Sequence, residues 1–154
     1  MADYQFTTHW RFDAPIEQVW QEIKTMSQWP QWWPYVKKVH LLRPGGPNEI
    51  GAIRQITWHT ALPYSFVIET EVVGIEEYRR IEGKATGELV GTGIWTFSSE
   101  GGATCVQYDW HVKTTKWWMN LIAPLARPFF EKNHDEVMAS GFQGLTKRLG
   151  NKKI

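Results

Sequence analysis

The chain has 154 residues, 42% hydrophobic and 21% charged, a balance that excludes a disordered chain or a coiled coil and fits one globular domain. Its 17 Lys and Arg against 16 Asp and Glu leave a net charge of +1, so nothing gathers nucleic-acid phosphates or cations, and nucleic acid is not an expected partner. The single cysteine, Cys105, excludes an internal disulfide and a multi-cysteine metal cluster and suits a reducing compartment, while ten Trp, seven Phe and five Tyr set the chain apart.

Residues 4–12 alternate. Tyr4, Phe6, Thr8, Trp10 and Phe12 fall on one side of an extended chain, which predicts a strand with one buried face. Asp13-Ala14-Pro15 then offers a capping side chain and a first-turn proline, and Ile16, Val19, Trp20 and Ile23 recur at helical spacing. A short helix is expected there. Between Ser27 and Pro34 the chain places Trp29, Trp32 and Trp33 around Pro30, leaving room for a turn or two of helix in a rigid aromatic elbow. From residue 36 to 113 extended segments alternate with turns, predicting an antiparallel meander with strands near 36–43, 51–59, 64–74, 79–86, 89–98 and 103–113. Pro44-Gly45-Gly46-Pro47-Asn48 and Ser99-Glu100-Gly101-Gly102 are its clearest turns. Val106, Tyr108, Trp110 and Val112 share one face of the last strand, as do Gly91, Gly93, Trp95 and Phe97 in the strand before it and Ile81, Gly83 and Ala85 in the one before that. Glycines on an inward face leave room.

After Lys116 the pattern is helical, with Pro124 and Pro128 predicting a short first piece and a kink, and a longer helix from about 128 to 149. In that helix Phe130, His134, Val137, Gly141 and Leu145 fall within about an 80° arc, one buried stripe interrupted by glycine and histidine.

Strand, two short helices, six strands and a long terminal helix suggest a curved antiparallel sheet wrapped around that helix, because a twisted sheet must cover its apolar face. This order resembles the START-like SRPBCC superfamily. The resemblance is carried by Asp13-Ala14-Pro15-Ile16-Glu17-Gln18-Val19-Trp20, the Trp29-Pro30-x-Trp32-x-Pro34 elbow, Gly93-x-Trp95-x-Phe97 and Asn133-His134-Asp135-x-Val137-Met138-x-x-Gly141. Among its branches the polyketide cyclase/dehydrase-like group is the most similar. The resemblance covers essentially the whole chain and implies an α+β helix-grip fold: about seven strands around a C-terminal helix, with a deep pocket between them.

The residues point the same way. Phe6, Trp10, Trp95, Phe97, Tyr108 and Trp110 beside Gly83, Ala85, Gly93 and Gly141 would form walls and a gap suited to an apolar ligand. Trp58 and Phe66 from the middle strands, and Phe130, His134, Val137 and Met138 from the helix, complete the expected ligand-binding set. The alternative is that the rings themselves fill the space.

No phosphate loop, HExxH pair or metal-ligand spacing occurs, and Gly91-Thr92-Gly93 precedes a strand rather than a helix, so no cofactor or metal is expected. Catalytic residues are not identifiable, and the candidates are His134, Tyr108 and Arg54. His134 can hold a ligand carbonyl or pass a proton from within the stripe, Tyr108 brings a hydroxyl inside, and Arg54, if inward, can receive a carboxylate; a satisfied core histidine and a solvated arginine are the plainer readings. Asn133 and Asp135 are expected to point away, and Cys105 to lie at a surface or edge.

Trp117, Trp118 and Met119 begin the terminal helical region. Packing on the Trp29–Trp33 elbow is expected of them, with transient membrane contact as the alternative. The run 117–126 is too short to span a bilayer, and the first residues carry no basic-then-apolar leader, so a cytoplasmic location is expected. The functional expectation is binding of a hydrophobic small molecule or lipid in an aromatic cavity. The alternatives are a cofactor-independent aromatase/cyclase or dehydratase, which requires polar groups inside, and a protein-interaction module, which requires an exposed elbow.

Overall fold

The computed structural model describes residues 3–60 and 65–151. A seven-stranded antiparallel sheet of β1 (Asp3–Phe12), β2 (Val36–Arg43), β3 (Ile53–Trp58), β4 (Phe66–Glu76), β5 (Arg80–Gly87), β6 (Leu89–Glu100) and β7 (Ala103–Thr114) runs in the order β1-β7-β6-β5-β4-β3-β2. Helix α1 (Ile16–Lys24) and a 3-10 segment (Met26–Gln31) follow β1, and α2 (Trp117–Asn151) closes the chain. This is the α+β helix-grip arrangement. The strands fall close to their expected positions; residue 64, the expected start of the fourth, lies outside the described residues. At the β6–β7 hairpin, Glu100 pairs with Ala103 across Gly101 and Gly102, whose φ values of +56° and +86° are what a two-residue turn matched to the strand twist requires.

Two expectations at the helices are corrected. Pro15 occupies the N-cap position of α1, one place earlier than a first-turn proline, and makes no side-chain capping bond. Pro124 and Pro128 lie inside a continuous α2 and do not divide it. Both are on its exposed side, where the ring's displacement of the preceding turn meets water and not the core.

The elbow plugs one half of the groove between sheet and α2. Trp29, Trp32 and Trp33 are buried to 4%, 5% and 1% exposure, and Trp33 Nε1–H donates to the Val137 carbonyl of α2 at 2.9 Å. Glycine makes this approach possible: a Cβ at Gly141 would stand 2.6 Å from the Trp33 ring, and one at Gly144 only 1.6 Å from the Trp32 carbonyl oxygen. Trp10 packs against Trp33 and Trp95 at 5.7 and 5.4 Å, and Phe97 against Trp20 of α1 at 5.0 Å, so this half is filled with rings. The buried Glu22 carboxylate pairs with the Arg148 guanidinium, which also donates to Gln28 and Gln31 at 2.9 and 3.0 Å. That cluster ties α1, the elbow and the end of α2 together.

Gly144→Ala is expected to cost at least about 3 kcal/mol, because backbone must move, whereas Gly150→Ala, with nothing within 4 Å of its Cβ, is expected to be neutral or slightly stabilising. Urea denaturation of the two variants measures the difference.

Candidate functional site

The other half of the groove is hollow. Tyr4 and Phe6 of β1, the inward residues of β3 to β7, and Met119, Phe130, Asn133, His134, Val137 and Met138 of α2 enclose a cavity of about 140 Å³. Trp29 and Trp33 form its floor against the plugged half.

Of the fourteen residues expected to bind ligand, eleven line this cavity: Phe6, Trp58, Phe66, Gly83, Trp95, Tyr108, Trp110, Phe130, His134, Val137 and Met138. Trp10, Phe97 and Gly141 do not. Each has the inward parity or stripe position that sequence reveals, but lies farther along its element, under the elbow or α1. Arg54 shares the parity of Ile56 and Trp58, yet it is not in the wall, because its guanidinium is held by Glu49 at 2.6 Å. The glycines leave less room than expected. The Tyr108 hydroxyl end lies over Gly93, 2.5 Å from where a Cβ would be, and the Thr70 methyl lies 3.0 Å from that position at Gly83.

Several lining residues lie outside the expected ligand-binding set: Tyr4, whose inward parity the sequence does show, and Thr70, Thr114, Met119 and Asn133. The expectation that Asn133 points outward is corrected. It is half-buried and lines the cavity, since the inward face of α2 is wider here than the stripe; its position three after Phe130 and four before Val137 is the available signal. Asp135 is exposed as expected.

No Asp, Glu, Lys or Arg is among the 27 lining residues described, and His134 is the one lining side chain that titrates below the tyrosine range. The His134 ring stacks on Phe6 at 4.1 Å and on Trp110 at 5.6 Å, and is 8% exposed. Burial lowers its pKa to about 4, so it is neutral at pH 7. Its Nε2 and the Asn133 Oδ1 are buried without a hydrogen-bond partner, as is the Tyr4 hydroxyl. Burial also raises the pKa of Tyr108, stacked on Trp95 at 4.0 Å, so its hydroxyl stays protonated. The Thr114 hydroxyl donates to Asn120 Oδ1 at 2.5 Å. The site is thus apolar and uncharged, with a few polar atoms open to a guest.

Several polar side chains pair with one another away from the cavity. Asp109 accepts from Thr7 and Gln107 at 2.8 and 2.9 Å, His111 meets Asp3 at 2.7 Å, and Cys105 Sγ lies 3.2 Å from Glu100. No three or more His, Cys, Asp or Glu side chains among the described residues are placed to hold a metal ion.

The sequence profile of the family described as polyketide cyclase / dehydrase and lipid transport matches residues 4–150. The chain belongs to that family. Its structure is similar to TTHA0849 from Thermus thermophilus, with a TM-score of 0.79 and 18% identity over 98% of this chain and 100% of that one. It is also similar to the Zhui aromatase/cyclase from a Streptomyces species, with a TM-score of 0.73 and 11% identity over 98% of this chain and 96% of that one. A third similarity is to BexL, the di-domain aromatase/cyclase of the BE-7585A biosynthetic pathway, with a TM-score of 0.73 and 22% identity over 96% of this chain and 50% of that one. At these identities the likenesses show the fold. A search of curated sequences finds no match.

Because His134 has its pKa lowered from 6.5 to about 4 in the folded protein, its contribution to stability is complete above pH 6.5 and is lost as pH falls through 4. The stability difference between wild type and His134→Gln is expected to shrink by up to about 3 kcal/mol between pH 7 and pH 4, measured by urea denaturation across that range.

Proposed function

We propose that this protein binds an uncharged, mainly apolar small molecule in the cavity between β-sheet and α2, with the polar end of the guest at Asn133 and His134. The observation that carries this reading is a wall with no ionic group among the described residues and unpartnered polar atoms at His134 Nε2, Asn133 Oδ1 and Tyr4 Oη. An unpaired charge brought into such a wall loses its hydration and gains nothing in return. A neutral hydroxyl, amide or carbonyl gains the hydrogen bonds that the buried atoms lack.

Size narrows the guest further. A dry apolar cavity of roughly 150 Å³ holds one benzene-sized ring, and drug-sized ligands occupy about 300 Å³ or more. The 140 Å³ here therefore favours a guest of one or two rings, or the end of a longer chain. Eleven residues from the expected set surround that space and would supply its contacts.

A cyclase or dehydratase activity is the second reading, favoured by the family and by the polar residues inside the cavity. Two observations place it behind binding. A histidine with pKa about 4 is a weak base at neutral pH, and the raised pKa of Tyr108 makes it a weak acid, whereas general acid–base catalysis works best near the operating pH. For the interaction-module reading, Trp29 and Trp32 of the elbow are buried and lend it no support, while Trp117 at the start of α2 is exposed and keeps it open there.

Isothermal titration with 2-naphthol and with 2-naphthoate tests the reading, since the two probes share an apolar body and differ in charge. The neutral alcohol is expected to bind and the carboxylate to bind at least about tenfold more weakly. His134→Gln is expected to weaken naphthol binding by roughly three- to tenfold. Equal or tighter binding of naphthoate, or no binding of naphthol, overturns the proposal.

A further inference from the structure

Helix α2 changes character at residue 131. Beyond it, Glu131, Lys132, Asp135 and Glu136 occupy the exposed side, as on an ordinary amphipathic surface helix. Before it, the fourteen residues 117–130 contain one charged side chain, Arg127, and are apolar on both sides. The inner side is accounted for by Met119, Ala123 and Phe130, which pack under the sheet. The outer side is not. Trp117 is 75% exposed, Leu121 72%, Leu125 89% and Phe129 52%, recurring every four residues. They form a ridge about 20 Å long at 1.5 Å per residue, turned directly away from the cavity. The sequence expectation that Trp117 packs on the elbow is therefore corrected: the elbow is engaged by the far half of α2 at Val137 and Gly141. A helix that is apolar all round is usually surrounded by apolar material, and here one side has none among the described residues.

We infer that this ridge docks into the interface of an anionic lipid bilayer, with α2 lying in the plane of the membrane surface. Charge selects that partner. In the sequence from 113 to 132 the cations Lys113, Lys116, Arg127 and Lys132 stand against one acid, Glu131. Lys116 is neutralised by Glu88 at 2.6 Å, and Arg127 lies 4.5 Å over the Tyr4 ring, so Arg127, Lys113 and Lys132 carry the positive charge beside the ridge. Anionic headgroups are attracted by such a surround while Trp, Leu and Phe enter the acyl boundary. A second copy of the chain fits less well, because a two-fold dimer would set this basic surface against itself and a single convex ridge is narrower than the roughly 800 Å² a side of a stable interface. No described helix is long and apolar enough to cross the membrane, which leaves surface docking as the mode of contact.

Flotation with vesicles of phosphatidylcholine alone, and of phosphatidylcholine with about one-third phosphatidylglycerol, reads the effect directly. The full chain is expected to float with the mixed vesicles and several-fold less with the neutral ones, and added salt is expected to reduce the bound fraction. Leu121→Glu/Leu125→Glu, at two solvent-exposed positions, is expected to lower mixed-vesicle partitioning at least about tenfold while near-ultraviolet circular dichroism and naphthol titration stay unchanged. Failure to float with either vesicle overturns the inference. So does a double variant that floats like wild type, or a wild-type dimer, seen by sedimentation, that the double variant converts to monomer.

Discussion

The meeting of the Trp33 indole with α2 organises the rest of the molecule. Gly141 and Gly144 strip one side of the helix to backbone, Trp33 and Trp32 settle into that notch, and the indole N–H donates to the Val137 carbonyl at 2.9 Å. The consequence is a division of the groove. One half is filled by the elbow, Trp10, Trp95 and Phe97; the other is bounded by Trp33 and Trp29 and stays open. A chain with ten tryptophans can therefore be densely packed and still hollow, because rings fill one half of the groove and only line the other.

Charge is partitioned along the same boundary. Among the described residues, the ion pairs made by Arg and Lys lie off the cavity wall: Glu22 with Arg148 at the end of α2, Glu49 with Arg54 at the edge of the sheet, Glu88 with Lys116 before α2. What faces the cavity is aromatic, aliphatic or neutral polar, and burial keeps His134 and Tyr108 uncharged as well. In such surroundings the solvation cost of a charge goes unmet, so the same wall that admits a neutral guest rejects an ionic one. The first fourteen residues of α2 extend this logic outward, with one side against the cavity and the other facing solvent as an apolar ridge.

Alternation and spacing carry most of this fold. Tyr4 to Phe12, Val106 to Val112 and Gly93 to Phe97 show their inward parity in the sequence, and the paired strands keep that parity residue by residue. Parity says which face a side chain occupies; it does not say how far along the strand the cavity extends. That is why Trp10, Phe97 and Arg54 are candidates by sequence and lie outside the site: a ring from the elbow, a ring from α1 and the Glu49 carboxylate, respectively, meet them first. The helix shows the converse. A narrow stripe finds His134 and Val137 but passes over Asn133, because the curved sheet surrounds a wider arc of α2 than one row of side chains. The expected division of the terminal helix does not occur, since Pro124 and Pro128 lie on its outward face, where prolines disturb a helix less than in its packed face.

The most direct test of the hollow half is a high-resolution crystal structure of the protein grown with 2-naphthol. The account predicts the ring between Phe6, Trp110 and Phe130, with its hydroxyl within hydrogen-bond distance of His134 Nε2 or Asn133 Oδ1, and Trp33 unmoved on α2. A cavity closed by those same rings, or naphthol seated elsewhere on the molecule, would contradict it.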